Sequence, residues 1–489
     1  MSQAKSETVA NDPGDRSFLG QPRVLANLFG VELWERFSFY GMQGILAIYL
    51  YYSVAEGGLG ISETVALGIV GAYGGAVYLS TIIAAWIADR LLGAERTLFA
   101  SAWLVVFGHL GLALIPGIAG VGVGLVLIAL GSGGVKANAS SLVGTLYAAD
   151  DERRDAGFSL FYLGINLGAL VGPLLTGLLQ KQWGFHVGFG LAAIGMIFGL
   201  VQYAMGRSRL PAESRVVPNP LPATERGRWI AIAVAAVAAI VVLCVTGVIT
   251  APRLANIVIG ISAVAAVALF AVILLSSQVT AIERSRVWAM VPLFVASAVF
   301  WSLYQQQFTV MVVYSDQRLD RDIFGWEMPV SWVNSINPVF IILLSGVFAA
   351  LWTKLGSRQP STPVKFAIGT ILMGIAFWVF LLMPSGEHTV PLIGLAFILL
   401  LFTLAELLLS PVGLSLATKL APERFRTQMM ALFFLSVALG TAMSGRLAEF
   451  YDVNDDTGFF WWVGLASVVV GVLLLIGNRP IRRLMAGVH

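Results

Sequence analysis

The sequence predicts an all-α polytopic membrane protein, and three observations carry that prediction. Hydrophobic residues make up 58% of the 489 and charged ones 12%, against about 25% charged in soluble domains. The mean hydropathy is +0.84. The apolar residues gather into fourteen runs, each long enough for a bilayer core that takes about 20 residues per helix.

The runs lie near 24–52, 64–89, 97–117, 119–146, 156–180, 184–206, 229–250, 254–277, 287–315, 329–353, 363–384, 389–418, 427–451 and 457–477. The loops between them test the count, because Lys and Arg favour the cytoplasmic side. With the N-terminus inside, 23 of the 30 basic residues fall on that side; Lys181, Arg253, Arg318 and Arg321 fall outside, and Arg36, Lys136 and Arg446 lie within runs. One misplaced helix would invert every later loop, so an even count with both termini cytoplasmic is expected.

Residues 1–20 are polar, with Pro13 and Gly14 and no apolar core, which predicts a disordered tail and not a signal peptide. The net charge of +3 calls for neither an anionic partner nor nucleic acid, since basic loops follow from membrane insertion. A single cysteine, Cys244, excludes an internal disulfide. His109, His186, His388 and His489 are too scattered for a metal site, and no H-E-x-x-H or C-x-x-C occurs. No cofactor is implied.

The first run holds the strongest anomaly. Over 31–50, V-E-L-W-E-R-F-S-F-Y-G-M-Q-G-I-L-A-I-Y-L, it carries Glu32, Glu35 and Arg36 at i, i+3 and i+4, with Tyr40 one turn later. On a helix all four share a face. Ionisable groups at membrane depth are costly and face cavities or partners, which makes them functional candidates.

Between the second and third runs stands A-D-R-L-L-G-A-E-R-T, with Asp89 and Arg90. The fourth run contains G-S-G-G-V-K-A-N over 131–138, placing Lys136 beside small residues that permit close helix approach. It lacks the G-K-[ST] ending and the strand-to-helix setting of a phosphate loop. The fifth contains F-Y-L-G-I-N-L-G, with Tyr162 and Asn166 on one face.

Residues 207–226 carry too many prolines and arginines to continue a span. Six runs precede this linker, two almost purely aliphatic ones follow, and six more complete the chain. The expected organisation is a tail over 1–20, a six-helix bundle over 21–206, a cytoplasmic linker over 207–226, an accessory hairpin over 227–278 and a second six-helix bundle over 279–489. Two bundles with a site between them at mid-membrane is the plan of alternating-access carriers.

The second bundle also carries polar runs. F-W-S-L-Y-Q-Q-Q over 300–307 includes Trp301 and Gln305; N-S-I-N-P places Pro338 so as to break the hydrogen-bond ladder at Asn337. T-L-A-E-L-L-L-S-P sets Glu406 and Ser410 one turn apart, followed by Pro411. Tyr78 in the second run, and Phe433 with Phe434 in the thirteenth, add aromatic surface. No nucleophile with a paired base, metal cluster or phosphate loop is present, so an enzyme is not expected.

E-L-W-E-R-F-S-F-Y-G resembles the E-x-x-E-R-F-x-Y-Y signature of the proton-coupled oligopeptide transporter family, a branch of the major facilitator superfamily. F-Y-L-G-I-N-L-G-A-L over 161–170 is similar to that family's second signature, and 88–97 resembles the superfamily's short charged loop. The resemblance extends through V-Y-L at 77–79, Lys136, Phe300 with Trp301, Asn337 with Pro338, and Glu406, and includes the bacterial accessory hairpin.

It implies the major facilitator fold, a monomer in the bacterial inner membrane, and di- and tripeptides as substrates carried with protons. By the same resemblance, Arg36 and Lys136 take the peptide carboxylate and Glu406 its amine. Tyr40, Tyr78, Asn166 and Asn337 hold the peptide backbone, Trp301, Gln305, Ser410 and Phe433 line the pocket, and Asp89 and Arg90 belong to an inner gate.

Proton coupling is expected from the first run: when a peptide carboxylate takes Arg36, Glu35 or its partner Glu32 loses its cation and takes up a proton. The sequence departs from the family at Gln305, where many members carry a titratable Asp or Glu, and at Gly71, where mammalian members carry a proton-linked histidine. Phe433 stands where some relatives have tryptophan. A proton-coupled carrier of drugs, nitrate or organic anions is the alternative; Glu406 favours a zwitterion.

Overall fold

The computed structural model describes residues 15–148, 151 and 153–488. Of the expected tail, residues 1–14 lie outside that range. Asp15 to Gly20 form a turn ahead of α1 (Arg23–Tyr51). The Asp15 carboxylate accepts from Ser17 N at 3.0 Å, Ser17 Oγ at 2.6 Å and Arg23 N at 2.8 Å. It thus serves the unsatisfied amides where the helix begins, and the Ser17 hydroxyl foremost holds its carboxyl below the usual carboxylate range.

The chain continues through α2 (Glu63–Ile87), α3 (Ala94–Leu114), α4 (Gly117–Gly144), α5 (Arg154–Trp183), α6 (Phe185–Gly206), α7 (Ala223–Val245) and α8 (Leu254–Leu275). It ends with α9 (Ala281–Tyr304), α10 (Val310–Gln317), α11 (Ile336–Leu355), α12 (Thr362–Phe380), α13 (Leu392–Lys419), α14 (Arg426–Ala448), α15 (Asp456–Ile476) and α16 (Asn478–Leu484). Among the described residues, 13 helical segments are long and apolar enough to cross a membrane. The charged first helix is not one of them, although its 29 residues are long enough.

The contacts divide the chain into two units, Met1–Ile45 with Ser80–Arg253, and Leu46–Leu79 with Leu254–His489. The division therefore runs through α1 and α2 and falls between α7 and α8. The far ends of α1 and α2 have their partners in the second unit: the Tyr51 and Tyr52 hydroxyls donate to Asp316 at 2.9 and 2.7 Å, and Gly71 lies against the backbone of Gly445.

In the first unit, α3 packs on α4 and α6 around a core that includes Leu25, Leu28, Leu98, Val105, Leu142 and Met196. The linker is held to this unit. Glu95, fully buried, accepts from Arg207 Nε at 2.6 Å and Nη2 at 2.9 Å, with Arg215 Nε 3.6 Å away. Asn219 N and Leu221 N donate to the carbonyls of Asp89 and Arg90. All of α7 is exposed.

In the second unit, α12 packs on α13 and α15, and α14 on α8 and α9. The buried residues of α8, Ala255, Ser262, Ala266 and Ile273, share one face. Two expectations are corrected here. The run 287–315 is not one helix: it breaks into 3₁₀ geometry over Gln305–Phe308, where Gln306 Nε2 donates to the carbonyls of Ser302 and Ser444 and holds the break. Pro338 breaks no ladder either, because it sits in the first turn of α11, after a 3₁₀ turn over Val330–Ser335. A missing amide costs nothing at that position. A small hairpin, β1 (Asp322–Ile323) with β2 (Trp326–Glu327), was not anticipated; Phe324 and Gly325 take the two positive φ angles that its tight turn needs.

Candidate functional site

The first unit gathers the charges of α1. Arg36 Nε lies 2.9 Å from Glu32 Oε1 and 2.7 Å from Glu35 Oε2. All three are buried, at 2%, 3% and 0% exposure. The i, i+3, i+4 spacing brings both carboxylates to one guanidinium, as a helix dictates. From α4, Ser132 Oγ donates to Glu35 Oε1 at 2.5 Å. Lys136, one turn further along α4 and partly buried, is within electrostatic reach of Arg36, Tyr40, Glu35 and Glu32.

This cluster is close to charge balance, with two carboxylates against two cations. Burial of an unpaired charge costs several kcal/mol, and pairing offsets it. The close packing that fixes Arg36 comes from α5: a Cβ on Gly168 would stand 2.8 Å from both Arg36 Cβ and Phe37 N. Only glycine allows that approach. Asn166, two residues earlier, is buried and donates Nδ2 to Tyr162 O in its own helix at 2.9 Å.

The second unit has its own polar centre. The Tyr304 hydroxyl donates to Glu406 Oε2 at 2.8 Å and lies 3.3 Å from Asn337 Oδ1. Asn337 Nδ2 donates to Thr403 Oγ1 at 2.9 Å, and the Thr403 hydroxyl in turn donates to Leu399 O. Glu406 is thus a partly buried carboxylate held by residues from α9, α11 and α13. Trp301 packs edge-on against Tyr304 with ring centroids 5.2 Å apart.

Of the other expected residues in this unit, Gln305 is buried at the start of the 3₁₀ break. Ser410 lies one turn beyond Glu406, and Phe433 packs on Phe434 and over Gly413. Tyr78 is partly buried on α2. In the first unit, Arg90 Nη2 reaches Glu225 at 4.0 Å, and it is the backbone of Asp89 and Arg90 that engages the linker.

Sequence reasoning missed Ser132, Tyr304 and Thr403 as supports of these centres. The signals were present: Ser132 is four residues before Lys136, Tyr304 three after Trp301, and Thr403 three before Glu406, all spacings that share a helix face.

The sequence profile described as PTR2, POT family, matches residues 95–463. The chain belongs to the POT family. A di-/tripeptide transporter of Lactococcus lactis subsp. cremoris is 40% identical over 490 residues, covering 97% of this chain and 99% of the relative. YclF of Bacillus subtilis (strain 168), an uncharacterized transporter, is 42% identical over 492 residues, with both chains fully covered. A crystal structure of a peptide transporter POT in complex with sulfate superposes with a TM-score of 0.92 at 44% identity, covering 97% of this chain and 98% of that one. As a POT family member the chain is a multi-pass membrane protein that transports peptides, and not an enzyme.

Proposed function

We propose that this POT family chain is a proton-coupled symporter that imports di- and tripeptides by alternating access across a bacterial inner membrane, with both termini cytoplasmic. Arg36 and Lys136 take the peptide carboxylate, and Glu406 takes its amine. Tyr40, Tyr78, Asn166 and Asn337 hold the peptide backbone, while Trp301, Gln305, Ser410 and Phe433 shape the space for side chains. Asp89 and Arg90 act at an inner gate. Neither a cofactor nor a second subunit takes part.

One observation carries the reading: the buried near-balance of Glu32 and Glu35 against Arg36 and Lys136. A substrate carboxylate entering that cluster leaves one negative charge in excess, in surroundings where an unpaired charge is expensive. A proton on Glu35 restores neutrality, with Glu32 as its partner, so substrate arrival and proton uptake become one event. Gln305 cannot titrate, which leaves proton handling to α1. Each inward charge gains about 2.3 kcal/mol per 100 mV.

A di- or tripeptide separates its end charges by roughly 7 to 11 Å at 3.3 to 3.6 Å per residue.

Dialanine uptake into proteoliposomes under an imposed proton gradient tests this directly. Glu35→Gln is expected to lose uphill accumulation and keep peptide counterflow; acidification-driven accumulation preserved in that variant would sink the coupling scheme. A panel of di- and tripeptides competing with dialanine, while free amino acids, nitrate and cationic drugs do not, is the expected specificity.

A further inference from the structure

Thr403 stands on α13 three residues before Glu406, so the two side chains share a face of the helix. It is fully buried, at 0% exposure, and does not itself reach a substrate. Its hydroxyl lies 2.8 Å from the carbonyl oxygen of Leu399, four residues back. A carbonyl cannot donate, so the Thr403 proton is spent there. Such a bond is a common local habit of threonine in a helix; its consequence here is that Thr403 Oγ1 can only accept from anything else that approaches it.

That condition fixes Asn337. The asparagine, on α11 and 5% exposed, sets its amide 2.9 Å from Thr403 Oγ1. An amide has an acceptor oxygen on one side and a donor nitrogen on the other. Against an oxygen that only accepts, the nitrogen must be the end that faces it. Oδ1 is thereby turned to the Tyr304 hydroxyl at 3.3 Å, and the Asn337 side chain is also a hydrogen-bond partner of Glu406. A carboxylate only accepts, so Nδ2 serves it with its second hydrogen. Reversing the amide would set Oδ1 against the lone pairs of both Thr403 and Glu406, and buried polar groups whose bonds go unmade are costly.

Glu406 is consequently held at two points. Tyr304 donates to Oε2 at 2.8 Å, and Asn337 supplies the second bond. An ionised carboxyl group has about four lone-pair sites; with two of them taken its plane is set, and the others are left for an incoming ammonium. A network satisfied in this way is rigid.

We infer that Thr403 is a positioning residue for peptide recognition: by fixing the sense of the Asn337 amide it orients the Glu406 carboxylate toward the substrate amine. This role presupposes that Glu406 receives the peptide amine, and it belongs to a side chain that acts without touching the peptide.

Competition against labelled dialanine uptake in proteoliposomes tests it, with two competitors: unlabelled dialanine, and propionyl-alanine, which is dialanine with its amine replaced by hydrogen. The wild type is expected to favour dialanine. Thr403→Val keeps the shape and removes the hydroxyl; it should lower the preference for dialanine over propionyl-alanine by about threefold to tenfold, the worth of one hydrogen bond, by weakening dialanine alone. Thr403→Ala should do the same, and Thr403→Ser, which keeps a hydroxyl, should hold the wild-type preference. A Thr403→Val or Thr403→Ala protein that weakens both competitors equally, or that keeps the wild-type preference, overturns the positioning role. A wild type that takes the two competitors equally overturns instead the assignment of the peptide amine to Glu406.

Discussion

Replacing Gly168 by alanine tests the packing on which the charged cluster rests. The added methyl would stand 2.8 Å from Arg36 Cβ and from Phe37 N, and nearer still to the Leu33 carbonyl oxygen, where ordinary contact begins at 3.4 Å. Two of those three atoms are backbone, so no side-chain rotation relieves the clash. α5 must retreat from α1 by at least about 0.6 Å, the shortfall between those two distances. Overpacking of that kind costs about 1 to 3 kcal/mol, which for a chain of this size is a drop of about 1 to 3 °C in Tm. The retreat acts at Arg36 itself, and a charged site displaced by more than about 0.5 Å loses its geometry, so kcat/KM for dialanine uptake should fall about tenfold or more. Gly122→Ala and Gly190→Ala, whose new methyls meet nothing within 4 Å, are the matched controls and should transport as wild type. Thermal unfolding and initial uptake rates measured on the three variants decide it; a Gly168→Ala protein with wild-type Tm and uptake would refute the close approach of α5 to α1.

Three further variants probe the other contacts. Glu95→Gln removes the fully buried carboxylate that holds Arg207 and Arg215; with both arginines partly exposed, a loss of about 2 kcal/mol is expected, seen as a lower Tm and faster proteolysis within 207–226. Tyr304→Phe deletes the hydroxyl that donates to Glu406 at 2.8 Å. A hydrogen bond to a charged group is worth about 1.5 to 3 kcal/mol, so dialanine kcat/KM should fall at least about tenfold while the protein still folds. Ser132→Ala removes the donor to Glu35 and should alter the pH profile of proton-driven uptake while leaving counterflow intact; an unchanged profile would separate Ser132 from proton coupling.

Helices were legible in the sequence because the bilayer imposes a length and a polarity that each segment must satisfy by itself. The one-turn grouping of Glu32, Glu35 and Arg36 was equally legible, because helical periodicity alone sets it. Where a backbone departs from regular helix, sequence reasoning failed. The run 287–315 looked continuous, yet its three glutamines mark a 3₁₀ break held by bonds from Gln306 to Ser302 and Ser444, the last a partner 138 residues away. Pro338 looked like a mid-helix breaker because nothing local showed that a 3₁₀ turn would end just before it.

The sequence by itself determined the membrane class, the helical segments, the family resemblance and the ionisable residues placed where only partners or cavities can tolerate them. Only the tertiary structure decided which groups meet: Ser132 on Glu35, Tyr304 and Asn337 around Glu406, and Glu95 beneath Arg207. The physical reason is range. Hydrophobic span length and helical phase are properties of neighbouring residues, whereas the partner of a buried charge comes from whichever helix packs against it, and that is set by the whole of the packing.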